Sequence, residues 1–94
     1  MEEKGFRILA VDDEQVNLNV LENQLSLEGW SVISAENGET AVHLVESSLP
    51  NLILLDVMMP KISGYEVCRI IRKKYTQAEL PIIMLTAKNT ENDL

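Results

Sequence analysis

Long apolar runs, cysteines and basic residues are all scarce in this sequence. No run approaches the roughly 18 apolar residues of a membrane span, so no membrane role is expected. Cys68 is the only cysteine, which rules out an internal disulfide and suits a reducing cytoplasm. Eight Lys and Arg stand against fifteen Asp and Glu, for a formal net charge of −7. That balance argues against nucleic-acid binding by this chain and favours a cation, a metal or a basic partner surface. There is no low-complexity segment and no linker. The opening, Met1 to Gly5, is polar and has no signal-peptide pattern. Residues 1–6 read as a loose tail and residues 7–94 as one small domain.

What the chain does have is four short apolar runs at regular intervals. They are Arg7–Val11, Ser31–Ala35, Leu52–Leu55 and Ile82–Thr86. The first, third and fourth are nearly continuous in hydrophobicity, the pattern of strands covered on both faces. The second alternates serine with apolar residues and reads as an edge strand. Between the runs lie three helical patterns. Residues 14 to 28 carry Val16, Val20, Leu21 and Leu25, and Gly29 ends that helix, with Trp30 packing just beyond it. Residues 38 to 48 carry Ala41, Leu44 and Val45 after the turn signal Asn37-Gly38. Residues 64 to 75 carry Tyr65, Cys68, Ile71 and Tyr75, and Ser63 and Glu66 have capping-box spacing. Pro81 opens the fourth strand, where its missing N–H is tolerated, and Thr90 reads as the cap of one more helix. The order β-α-β-α-β-α-β has the spacing of βαβ units. Right-handed crossovers then give an α/β, doubly wound, mostly parallel sheet with helices on both faces.

In such a sheet function sits beyond the carboxyl ends of the strands, where strand order reverses. The first strand runs into Asp12 and Asp13, the third into Asp56, and the fourth into Thr86-Ala87-Lys88. If the first and third strands are neighbours, three carboxylates converge beside a hydroxyl. At about 5 Å and an effective dielectric near 20, each charged pair costs roughly 3 kcal/mol. One of them stays protonated or a cation sits between them. Carboxylates, a backbone carbonyl and waters are the ligands Mg²⁺ takes. A carboxylate can also attack a phosphoryl group and carry it as an acyl phosphate, while metal and hydroxyl neutralise the phosphoryl oxygens. Asp56, alone at its strand end and followed by a loop, is the best placed nucleophile.

The acidic pair Asp12-Asp13, the string D-x-x-M-P-x-x-x-G from Asp56 to Gly64, and Thr86-Ala87 stand in order, each element at a strand end. Together they resemble the receiver domain of two-component response regulators, over residues 7 to 94. The resemblance implies a flavodoxin-like sheet of order 2-1-3-4. It implies that Asp56 accepts phosphate from a histidine kinase or a phosphotransfer protein. By it, Asp13 binds Mg²⁺ directly and Asp12 mainly through water, with Asp56 and the backbone carbonyl of Met58 completing the protein ligands. Thr86 would hydrogen-bond the phosphoryl group and act as the switch, helped by the Ala87 backbone N–H. Met58 and Lys88 would tune phosphate lifetime. Such a domain is a cytoplasmic signalling module rather than an enzyme, beyond catalysing its own phosphorylation and dephosphorylation. Its output would lie in a longer parent chain or a free partner.

The chain departs from the pattern at its end. Receivers carry a lysine on a fifth strand about twenty residues past the threonine, and this sequence stops at Leu94. The fifth strand and fifth helix are therefore expected to be missing, which leaves the fourth strand as an apolar edge open to a second copy of the chain. Two other readings compete. A receiver-shaped interaction domain that is not phosphorylated would keep the fold alone. A phosphatase of the haloacid-dehalogenase type shares the sheet and the Asp nucleophile, but usually has a second Asp two residues on, where Met58 stands here. Of the remaining residues, His43 reads as solvated or half-buried rather than as a site, Cys68 as core, and Gly64 as a close-packing position.

Overall fold

Apolar runs flanked by helical periodicity fold as the pattern dictates. The computed structural model describes residues 5–85. They form β1 (Arg7–Val11), α1 (Gln15–Leu27), β2 (Ser31–Ala35), α2 (Gly38–Ser48), β3 (Leu52–Asp56), α3 (Gly64–Arg72) and β4 (Ile82–Leu85). The four strands make one parallel sheet of order β2-β1-β3-β4. β2 is an edge strand, as its serines indicate, and β4 is the other edge among the described residues. Thr86, Ala87, Lys88 and the helix start at Thr90 lie outside the described residues.

Each helix end has a local cause. In α1, Gly29 takes the left-handed conformation (φ 89°). Its N–H reaches the Ser26 carbonyl at 2.9 Å, and that of Trp30 the Leu25 carbonyl at 3.2 Å. This pair of bonds satisfies the last carbonyls of the helix, and glycine adopts the required φ without steric cost. Asn37 caps α2 by accepting the Thr40 N–H at 2.8 Å. Ser63 caps α3 by accepting from Glu66 at 3.3 Å. α3 stops at Arg72, short of the expected Tyr75. The Arg72 guanidinium donates to the carbonyls of Tyr75 (3.2 Å) and Leu80 (2.9 Å) and pairs with Gln77, folding residues 73–80 back toward β4.

The sheet divides the core in two. On one side Leu9, Val11, Ile53 and Leu55 pack with Ala41 and Val45 of α2 and Val67 and Ile71 of α3. On the other, Ile8 and Ala10 are buried and α1 contributes Leu18. This corrects the expected face of α1. Val16 and Val20 point outward at 64% and 52% exposure, and Leu18, with half-buried Leu21 and Leu25, faces the sheet. Val16, Val20 and Leu27 fall on one side of a 3.6-residue helix and Leu18, Leu21 and Leu25 on the other, so α1 has two apolar stripes. Tyr65, expected inside, is 63% exposed, whereas Cys68 packs against the core as expected. Trp30 is 41% exposed and closes against Phe6, with ring centroids 6.0 Å apart. No helix among the described residues is long and apolar enough to cross a membrane.

Candidate functional site

Strand register brings the acidic residues together. Val11 pairs with Leu55, so Asp12, one residue past the end of β1, comes level with Asp56 in β3. Side chains alternate along both strands, and these two leave the sheet on the same side. Each strand end is held by an extension of its ladder. Asp12 donates its N–H to the Ala35 carbonyl at 3.1 Å, and Val57 donates to that of Leu85 at 3.1 Å.

Carboxylate oxygens of Asp12, Asp13 and Asp56 all lie within 4.8 Å of one another. Asp12 is 7% exposed, Asp56 half-buried and Asp13 exposed. The convergence expected from the sequence is therefore present. Oxygens sharing one octahedral Mg²⁺ at 2.0–2.1 Å lie about 3 Å apart when adjacent and about 4 Å when opposite. The three carboxylates are close to that spacing, and the hard oxygen donors suit that ion. The arrangement fits magnesium.

Both oxygens of Asp12 also have protein partners. Oδ1 accepts the Glu14 N–H at 2.9 Å. Oδ2 accepts the Asn17 side-chain amide at 3.2 Å. Glu14 is the N-cap of α1 and makes no side-chain cap of its own, so the helix start is tied to the acidic site through Asp12. Asp56 Oδ1 accepts the N–H of Met58 at 3.3 Å. The Met58 side chain is 64% exposed, while Met59 is buried and anchors the loop.

Gly64 explains how closely α3 approaches the site. Its N–H bonds to the Val57 carbonyl at 3.0 Å. A Cβ there would overlap the Asp56 carbonyl and come within 2.9 Å of the Val57 Cα. The glycine of the D-x-x-M-P-x-x-x-G string is a packing residue, as expected. Asn17 was not visible from sequence. It lies on the polar part of α1 and belongs to no motif, and its one signal is its place in the first turn, five residues after Asp12. His43 is exposed, as expected.

Comparison with known proteins agrees with this geometry. The chain is 47% identical over 87 residues to the probable transcriptional regulator ycf27 of Porphyra purpurea, covering 93% of this chain and 35% of that protein. The chain thus spans about a third of the curated relatives it matches. Among solved structures, the response regulator TrrA of Thermotoga maritima, in complex with Mg²⁺-BeF, is 44% identical, with a TM-score of 0.81 over 89% of this chain and 71% of that one. A structure of the histidine kinase ThkA in complex with TrrA matches at 42% identity and a TM-score of 0.81, over 93% of this chain and 73% of that one. The family model of the response regulator receiver domain matches residues 8–94, and with the 2-1-3-4 sheet and its acidic edge in place, the chain belongs to that family.

Proposed function

We propose that Asp56 accepts a phosphoryl group from a histidine kinase or phosphotransfer protein in a Mg²⁺-dependent step. The observation that carries this reading is the meeting of three carboxylates from two neighbouring strands within 4.8 Å. In the transfer, a carboxylate oxygen of Asp56 attacks phosphorus as the phosphorus–nitrogen bond of the donor breaks. The bonding pair stays on the donor imidazole, and Asp56 becomes an acyl phosphate. Mg²⁺, when bound, offsets the charge on the carboxylates and the phosphoryl oxygens. Asp13 and Asp56 would hold it directly, with the Met58 carbonyl, and Asp12 would act through water. The two protein donors already on the Asp12 oxygens support that indirect role. Thr86 and the Ala87 N–H, outside the described residues, are proposed to bind the phosphoryl oxygens.

The partner reading rests on the outer stripe of α1. Val16 and Val20 are exposed, and the helix starts three residues past Asp12. A kinase seated on this stripe would lie beside the helix start next to Asp12, and the solved complex of ThkA with TrrA supports a histidine kinase as the partner. The matched portion of ycf27 supports an output outside this sequence, in a longer parent chain or a free partner.

Beryllofluoride, a phosphoryl mimic, tests the assignment. With Mg²⁺, ¹⁹F NMR of the wild-type chain should show a bound resonance that Asp56→Asn abolishes. A bound resonance that survives in Asp56→Asn would overturn the role of Asp56. A wild-type chain that binds Mg²⁺ but never beryllofluoride would favour the unphosphorylated interaction domain.

A further inference from the structure

We infer that Asn17 is a positioning residue that sets the metal affinity of the site by fixing the carboxylate of Asp12. This rests on the reading of Asp12, Asp13 and Asp56 as a Mg²⁺ site. Asn17 is exposed on the first turn of α1, yet its amide nitrogen turns inward to Asp12 Oδ2 at 3.2 Å and to Glu14 Oε1 at 3.3 Å. Asp12 is the buried member of the triad, and the Glu14 N–H holds only its Oδ1. Without the amide, Oδ2 keeps no protein donor among the bonds described, and the carboxylate can turn about its Cβ–Cγ bond.

The chemistry of the donor matters. A lysine or arginine here would hold Asp12 equally well, but its charge would compete with the divalent ion. An aspartate could not donate and would add a fourth repelling carboxylate. A neutral amide orients the carboxylate and leaves its full charge to the cation. Partners of directly bound ligands alter metal affinity by about 10- to 100-fold when removed, and Asn17, which acts on a carboxylate that reaches the ion through water, belongs at the low end of that range. Glu14 takes part through the same amide, so the inference links three consecutive polar contacts at the start of α1 to the ion.

A bland alternative is that Asn17 only stabilises the helix start by reaching back to Glu14. Metal binding separates the two. Mn²⁺ alone serves as the probe, its affinity read by EPR on the full 94-residue chain. Asn17→Ala is expected to weaken Mn²⁺ binding about tenfold. Asn17→Gln, which keeps a neutral amide, should recover part of that loss. Melting temperatures in EDTA should stay close to wild type, since alanine favours an exposed helix position. Equal Mn²⁺ affinity in wild type and Asn17→Ala would overturn the inference, as would a Gln variant no better than Ala. If the wild-type chain itself bound no Mn²⁺, the reading of the acidic site would fail instead.

Discussion

The two faces of the sheet differ in how completely they are covered. Beneath α2 and α3, Leu9, Ile53, Leu55, Ala41 and Val67 are all fully buried. On the α1 side, among the described residues, burial fades from β1 toward β4. Ile8 and Ala10 are sealed, Leu52 and Leu54 are half-buried, and Ile83 is 49% exposed. The cause is the span of α1, which packs chiefly over β1 and β2. Asp12 and Asp56 alternate in phase with Ala10 and Leu54, so the acidic site opens from this thinner side. One face holds most of the fully buried core, and the other carries the acidic cluster.

Paired truncations test that division most directly. Leu55→Ala, on the closed face, should cost about 3 kcal/mol. Leu54→Ala, its neighbour on the open face, should cost about 1 kcal/mol. Urea denaturation measures both, and equal losses would mean that the two faces are covered alike. Gly64→Ala should come next, at about 2 kcal/mol, because the new methyl overlaps backbone rather than a yielding side chain. The same variant should also weaken beryllofluoride binding, since the displaced backbone belongs to Asp56.

Ile83 sharpens the comparison from the open side. We propose that a second copy of the chain pairs along β4. Light scattering should then show association that grows with concentration, and Ile83→Lys should reduce it with little change in monomer stability. A wild-type chain that stays monomeric at high concentration would remove this proposal. The smallest effect belongs to the closed face, where Lys74, just past α3, pairs with Glu46 of α2 at 3.0 Å. The hydrogen bond to Glu46, then its charge, raises the Lys74 pKa above 10.5. A raised pKa in the folded chain stabilises below the ordinary value, and that contribution fades as pH climbs through the folded one. Glu46→Gln should therefore lower the melting temperature slightly near pH 8, and the gap should close in strong alkali. Both side chains are largely solvated, so the shift should be slight at any pH.

Strand positions and the acidic triad were legible because both depend on short-range pattern. A buried strand must be apolar, and a charge at its end marks where it leaves the sheet. The face of α1 was not legible, because Val16 and Val20 satisfy helical spacing as well as Leu18 and Leu21 do. Only the docking of the helix on β1 and β2 decides between the stripes. The end of α3 was set by Arg72 bonding to carbonyls up to eight residues away, a contact that leaves no periodic trace. Asn17 escaped notice for the same reason, since its partner lies across a turn rather than along a helix face.

The seat of α3 on the Asp56 carbonyl also fixes where movement can occur. With the Gly64 backbone packed against its carbonyl, Asp56 has no room to shift toward α3. If Asp56 takes up a phosphoryl group as proposed, the added bulk should be accommodated through the segment between Val57 and Ser63. A partner sensitive to that modification would then read the contour of this segment.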